Sequence, residues 1–345
     1  MLKKRQKVNR VTVKDLARDL GMSVSTVSRA FYPEAVIADN TRKKVLKRAE
    51  ELGFRRNPFA QSLITKKTKI VGMVVSDLSN PFYPEIMMTI TKLLQEAGMN
   101  VMLAVAEKSE KTDESVELLL SYQPDVIIIV ATNLASHARQ KCEDAGAPCI
   151  FFNRLSSDGK GFGVTCDNEL GGHFAADYLI DLGHQKLAYV SALSTASTNV
   201  ERSKGFIERA VSRGVASPIV IEAGKFSYEA GYKAGVEFSE RKLNVTGIFC
   251  ASDIVAMGFV EGVKQSHIFS VPDDISVVGF DNIEMSGWPS HNLTTISQPI
   301  ESMMQATIQL AKDLTDKKDI MPTILRLPPG KIMERSTTAH LNGKS

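Results

Sequence analysis

From Ile70 to about residue 316 the chain alternates short apolar runs with longer amphipathic stretches. No other feature limits its fold as much. Strands are predicted at 70–76, 100–106, 125–130, 148–152, 186–191, 218–222, 247–250 and 275–280. Helical periodicity fills the gaps at about 84–97, 112–122, 135–145, 168–182, 199–213, 228–239, 253–266 and 301–316. Val126-Ile127-Ile128-Ile129-Val130 typifies the strands: it is apolar throughout, as a strand buried on both faces must be. Such strands separated by helices imply parallel α/β sheets with helices on both faces. Periodicity does not set the order of the strands or their division into lobes.

The 345 residues allow two or three domains with sizeable cores. No apolar run approaches the ~20 residues needed to cross a bilayer. The basic N-terminus runs into polar helical sequence and lacks the apolar stretch of a secretory signal. Cys142, Cys149, Cys166 and Cys250 have neither CxxC spacing nor histidine partners, so reduced thiols in a cytoplasmic protein are expected, with no metal and no cofactor.

The net charge of +3 hides an asymmetry. Residues 1–69 hold 18 Lys and Arg against 6 Asp and Glu, and the remainder holds 24 against 33. A basic head on an acidic body points to a polyanionic partner for the head alone. Thr12 is placed to cap a helix from Val13 to about Leu20, with Asp15 in the capping-box position. Val13, Leu16, Ala17 and Leu20 form one apolar stripe, and Gly21 ends the helix. Ser23 caps a second helix, Val24 to about Ala30. A third, about Thr41 to Leu52, carries Val45, Leu46, Ala49 and Leu52 as its expected core stripe.

Two short helices joined by a tight glycine turn describe a helix-turn-helix. The second helix of such a motif enters the major groove by its N-terminal end. Val24, Ser25 and Arg29 face outward there: Arg29 can donate two bonds to guanine, Ser25 one to a base or phosphate, and Val24 can touch a thymine methyl. Ser23, Thr26, Ser28 and Asn40 are better placed for phosphates, and Thr12 is counted with the DNA-binding residues. Asn57-Pro58 then opens a helix of little more than two turns, too short to be stable alone and suited to folding on binding. Its Leu63 is either an apolar wedge for the minor groove or a residue packed on the body.

Candidate ligand-binding residues fall at predicted strand ends. Phe82 and Tyr83 follow the first strand and either stack on a sugar or heterocycle or simply pack on the lobe. Asn153 and Arg154 follow the fourth strand. Arg202 offers a fork of donors, and Asp253 and Asp281 offer carboxylates suited to vicinal hydroxyls, although Asp253 can instead cap a helix. No GxGxxG, P-loop, GxSxG or HExxH occurs; Gly161-Phe162-Gly163 reads as a turn, and His173 with Asp177 as a surface pair. A sugar-processing α/β enzyme fused to a DNA-binding head remains the rival reading, with Asp253 and Asp281 as its acid/base pair.

The pattern Thr12-Val13, Leu16-Ala17, Leu20-Gly21, Ser23, Thr26-Val27-Ser28-Arg29 resembles the head of the lactose/galactose repressor family. So do Leu52-Gly53-Phe54, Asn57-Pro58, Ala60 and Leu63, and in the body Val278-Gly279-Phe280-Asp281-Asn282 and Leu293-Thr294-Thr295-Ile296, with Gln298-Pro299. The resemblance spans nearly the whole chain. It implies a helix-turn-helix head over 1–56, a hinge helix and linker over 57–69, and a two-lobed periplasmic-binding-protein-like α/β body over 70–340. Lobe one would take about 70–167 and 299–325, lobe two about 168–298 and 326–340, with crossings near 167, 298 and 326.

By the same resemblance Val24, Ser25 and Arg29 read a half-site. Asn57, Ala60 and Leu63 belong to the hinge, with Leu63 of each subunit wedging the centre of a near-palindromic double-stranded DNA operator. Asn80, Phe82, Tyr83, Asn153, Arg154, Thr198, Arg202, Phe226, Asp253 and Asp281 would line an effector cleft. Asn153 stands where many sugar-responsive relatives carry Asp, and Ala196 where purine-responsive ones use a second Arg. Trp288-Pro289-Ser290-His291-Asn292 departs from the usual Pro-rich approach to Leu-Thr-Thr. The expected protein is a homodimeric repressor, or a tetramer, switched by a sugar or sugar acid. It has no membrane partner, and its tail after Lys331 is too short and polar for a coiled coil.

Overall fold

A computed structural model describes residues 11–341 apart from 33–34, 56–66, 77, 107–110, 131–136, 157 and 317. The chain divides into two compact units, Met1–Thr68 and Lys69–Ser345. The hinge helix predicted from Asn57, with Ala60 and Leu63, lies outside the described residues.

The first unit holds helices α1 (Val13–Leu20), α2 (Val24–Ala30) and α3 (Asp39–Glu51). The capping box at Thr12 and Asp15 is formed, and Gly21 has φ +61°, the left-handed turn that glycine takes without strain. Ser23 caps α2 by accepting from the Thr26 amide. Leu16, Ala17, Val27, Ala30, Val45 and Ala49 are buried, with Phe31 stacked at 5.4 Å on Phe54. Leu46 departs from the expected stripe: it is 43% exposed, because α3 presents only Val45, Ala49 and Leu52 to so narrow a core. Burial of each larger side chain contributes about 1.5–3 kcal/mol, so a core of this size needs help. Arg42 supplies it. Its guanidinium donates to the carbonyls of Ala30 (3.1 Å), Tyr32 (2.5 Å) and Ala35 (2.7 Å), which α2 and its following loop leave without helical partners.

The second unit has two lobes. Lobe one contains β1 (Ile70–Val75), α4 (Phe82–Glu96), β2 (Asn100–Val105), α5 (Thr112–Leu120), β3 (Val126–Val130), α6 (His137–Asp144), β4 (Cys149–Phe152) and β5 (Phe162–Cys166). Lobe two contains α7 (Asn168–Asp181), β6 (Leu187–Ser191), α8 (Ser197–Ser212), β7 (Ile219–Glu222), α9 (Tyr228–Glu240), β8 (Gly247–Cys250), α10 (Asp253–Ser266), β9 (Ser276–Asp281) and β10 (Thr295–Ser297). The chain then returns to lobe one for α11 (Ile300–Thr315) and β11 (Ile324–Leu327), and ends in lobe two with β12 (Ile332–Met333).

The sheets run β11-β5-β4-β3-β1-β2 and β12-β10-β9-β8-β6-β7, parallel except for β12 against β10. Phe162 and Gly163 are strand residues of β5 and not a turn: β5 is sandwiched between β4 and β11, and β11 comes from distant sequence, so the short, glycine-containing run carries little local signal of its burial. β11 pairs with β5 as far as Leu327, so the chain leaves lobe one for the last time just after that residue.

Lobe two owes its compactness to glycine. An added Cβ at Gly258 would lie 2.0 Å from the Tyr228 carbonyl oxygen, at Gly262 2.2 Å from that of Tyr232, and at Gly231 2.1 Å from that of Val255. α9 and α10 therefore pack backbone to backbone. α7 and α8 do the same through Gly172, 2.5 Å from the Arg202 carbonyl oxygen, and Gly205, 2.1 Å from that of Glu169. This close crossing sets where α8 holds Arg202.

Candidate nucleic-acid interface and interlobe cleft

On the head, Val24, Ser25 and Arg29 are all exposed at one end and side of α2, with Val24 42% accessible. Arg29 Nε reaches back to the Ser25 carbonyl at 3.4 Å, leaving the rest of the guanidinium fork on the surface. Ser23 Oγ lies 2.9 Å from Ser25 Oγ and 2.8 Å from Thr26 Oγ1, so three hydroxyls cluster at the start of α2, where the helix dipole favours an anion. Ser28 is half-buried one turn on. Thr12 is exposed but engaged: its hydroxyl donates to Asp15 at 2.6 Å, and its bonds hold the Asp15 carboxyl below the usual range. Asn40 is exposed at the start of α3.

In the body, the residues expected at strand ends converge between the lobes. Asn80, buried after β1, accepts the Phe82 amide at 3.1 Å and shapes the turn into α4. Phe82 and Tyr83 are both buried, edge to face at 5.1 Å. Tyr83 Oη accepts from Asn153 Nδ2 at 3.4 Å. Arg154 bridges the lobes, its guanidinium 4.6 Å from the centre of the Phe226 ring and 6.0 Å from that of Tyr83. Nearby, the Leu155 amide donates to Ser197 Oγ across the cleft at 3.0 Å. Thr198, in the first turn of α8, is buried.

Arg202 is 2% exposed. Its guanidinium lies 3.7 Å over the Phe280 ring, its Nε donates to Asn168 Oδ1 at 2.9 Å and its Nη1 to the Ala251 carbonyl at 2.5 Å, with Asp281 Oδ1 at 3.4 Å. Asp281 Oδ1 also accepts from Gln298 Nε2 at 2.7 Å. Asp253 does not use its side chain as a helix cap. It accepts the Ile283 amide at 2.9 Å and the Thr295 hydroxyl, which ties the segment after β8 to the loop after β9 and to the start of β10. Burial, reinforced by the neighbouring Asp281 carboxyl, raises Asp253 to about 7. Burial raises Asp281 to about 6, against the pull of Arg202 and the Gln298 bond.

Backbone strain collects at the same strand ends. Asn153, Asp281 and Asn282 have φ of 68°, 126° and 57°, all in a region that side chains disfavour. Asn282 is held by Arg335, whose Nη2 donates to its Oδ1 at 2.8 Å, and by Ser297 at 2.9 Å. A cavity of about 210 Å³ opens here, lined by Phe82, Ile86, Asp281, Asn282, Gln298, Ile300 and Met304 among others. Asn153 Oδ1, Ser252 Oγ and Gln298 Oε1 are buried polar atoms with no hydrogen-bond partner among the described residues. Ser252 and Gln298 were not among the expected site residues. Their only sequence signal is position, one residue before Asp253 and at the second crossing.

Among the described residues no group of three or more His, Cys, Asp or Glu can hold a metal ion, and no helix is long and apolar enough to cross a membrane.

Residues 12–57 match the model for bacterial regulatory proteins of the lacI family, and residues 176–338 match a periplasmic binding protein-like domain. Catabolite control protein A of Priestia megaterium is 30% identical over 324 residues, covering 92% of this chain and 96% of that protein. The ribose operon repressor of Lactococcus lactis subsp. lactis is 30% identical over 318 residues, covering 92% and 95%. Among solved structures, the lac repressor dimer bound to operator and the anti-inducer ONPF is similar with a TM-score of 0.85 and 25% identity, over 96% of this chain and 100% of that one. These likenesses set aside the sugar-processing enzyme. The chain belongs to the lacI family of bacterial regulatory proteins and is a DNA-binding transcription regulator.

Proposed function

We propose that this regulator is a cytoplasmic homodimeric repressor that binds a near-palindromic operator and is switched by a sugar or sugar acid held between its lobes. The observation that carries the effector reading is the set of orphaned oxygens at the cleft, Asn153 Oδ1, Ser252 Oγ and Gln298 Oε1. Buried polar atoms without partners are costly, and a ligand rich in hydroxyl donors would satisfy Gln298 Oε1, whose residue lines the cavity. The cavity that Gln298 and Asp281 help to line, about 210 Å³, is smaller than the ~300–1,000 Å³ of pockets for drug-sized molecules and suits a compact ligand. Tyr83, Phe226, Arg154, Arg202 and Asp281 supply the aromatic faces and polar forks that orient it.

Homodimer formation is supported by the outer face of α4. Leu78, Pro84, Met87 and Met88 line an apolar groove there, with Met88 72% exposed. In this reading, ligand changes the angle between lobes and hence the spacing of the two 57–65 segments. These order on the minor groove, with Leu63 wedged in, only when that spacing suits. Val24, Ser25 and Arg29 then read flanking half-sites, with Thr12, Ser23, Thr26, Ser28, Asn57 and Ala60 on or near the backbone. A swing of ~1–3 kcal/mol in operator affinity gives 5–150-fold regulation.

Thermal-shift measurements on the full chain against sugars, sugar acids and nucleosides test the effector. A true ligand raises Tm by mass action, whereas a response to nucleosides alone replaces the sugar reading. Selection from a random DNA pool tests the operator, which should emerge as an inverted repeat. Leu63→Ala should then weaken the selected site far more than random DNA, and equal losses would remove the wedge.

A further inference from the structure

We propose that Glu201 and Arg326 are positioning residues that tie the ligand-facing Arg202 to all three crossings between the lobes; the proposal rests on the reading that the cleft takes an effector. Arg326 lies on β11 in lobe one, and Glu201 on α8 in lobe two. The guanidinium grips the carboxylate with both ends, Nη1 to Oε2 at 3.0 Å and Nη2 to Oε1 at 2.9 Å. Glu201 Oε2 also accepts from Asn168 Nδ2 at 3.2 Å, and Asn168 is fully buried. The other end of that amide, Asn168 Oδ1, accepts Arg202 Nε, and Arg202 leads through Asp281 to Gln298.

The relay thus touches the first crossing at Asn168, the second at Gln298 and the third just after Arg326. Each link constrains the next. The Asn168 nitrogen is shared among Glu201 Oε2, the Cys166 carbonyl at 3.0 Å and Thr165 Oγ1 at 3.4 Å, while its oxygen accepts Arg202, so one buried amide joins the carboxylate to the guanidinium. A ligand that displaces Arg202 takes away the partner of the Asn168 oxygen, and the nitrogen of the same amide touches the carboxylate of the ion pair that spans the lobes.

Ion pairs at the surface usually contribute little. This one differs in three ways: the Glu201 side chain is only 15% exposed, the pairing is bidentate, and the carboxylate is shared with a buried amide. Glu201 does not itself line the cavity, so its effect is exerted through Asn168 and Arg202.

The test uses the full chain carrying Gln140→Cys on α6 and Lys233→Cys on α9, both exposed positions in different lobes. The four native cysteines are buried. Spin labels at the two sites, diluted into unlabelled chain, report the distribution of lobe–lobe distances by pulsed EPR. Arg326→Met and Glu201→Gln should each raise the minor population relative to the parent by roughly fivefold or more, the scale of ordinary coupling between sites. Arg326→Lys keeps the charge but not the fork and should fall between the parent and Arg326→Met, an order that a loss of general stability would not give. Should one arginine variant fail to fold, Glu201→Gln carries the test alone.

Distributions that superimpose on the parent for both variants overturn the proposal. A second arm adds D-gluconate, D-glucuronate, D-ribose or cellobiose. If one of these shifts the parent and shifts both variants equally, the effector reading stands and the relay falls. If none shifts the parent but the variants still open, the relay stands and those ligands are excluded.

Discussion

Arg29 and Asp253 show how differently two charged residues can be used. Arg29 keeps most of its guanidinium on the surface of α2, held only by a long bond to the Ser25 carbonyl. Arg29→Ala should therefore leave the fold intact and relax specificity at one base pair of a selected operator by ~1–3 kcal/mol; a uniform loss across sequences would make it a phosphate contact. Asp253 is committed inward, to Ile283 and Thr295. Its carboxyl stands at about 7 and that of Asp281 at about 6, both above the ordinary 3.8. Between those limits the native state holds protons that the unfolded chain has released, so the contribution of these groups to stability falls as pH rises. Asp253→Asn preserves an acceptor for the Ile283 amide and removes the titration. Its Tm relative to the parent should rise between about pH 5 and pH 7.5, and a constant difference across that range would contradict the assignment.

At the scale of elements, two glycine-lined helix pairs hold lobe two together. A methyl at Gly258 would meet the Tyr228 carbonyl at 2.0 Å, and backbone cannot give way as a flexible side chain can. Gly258→Ala should cost at least the ~1–3 kcal/mol typical of overpacking, measured by denaturant unfolding, while Gly214→Ala, where nothing lies within 4 Å, should cost less and through its φ of +80° alone. In the head, Arg42 does for α2 what a C-cap usually does. Arg42→Met should lower the stability of the head by a few hydrogen bonds at ~1 kcal/mol or more each, with no change at the exposed face of α2. Helices were legible in the sequence because their stripes are local: α1, α2 and the body helices fall within a few residues of the expected limits. β5, β10, β11 and β12 were not predicted. Each is short, and each pairs with a strand far away in sequence, so its own residues carry little periodic signal.

For the whole molecule, the charge division has a measurable consequence. The 18 basic residues before residue 70 attract phosphate, whereas the acidic remainder repels it. Affinity for random DNA should fall steeply as salt rises, with a log–log slope near −0.9 per phosphate neutralised. A shallow slope would mean that the head's charge is not what meets the duplex. The lobes add the second property, a cleft whose walls come from sequence more than 100 residues apart, as the meeting of Tyr83, Arg154, Phe226 and Asp281 shows.

The sequence by itself determined the basic head, its caps and its outward-facing Val24, Ser25 and Arg29, and the alternation that makes the body parallel α/β. These depend on neighbours within one or two turns, where residue spacing and structure are directly related. Tertiary structure alone decided that Asp253 is spent on the loop after β9, that Ser252 and Gln298 keep unsatisfied oxygens at the cleft, and that Glu201 meets Arg326 across 125 positions. Hydrogen bonds and close packing between distant segments follow from how the sheets stack, and no local pattern of side chains encodes that.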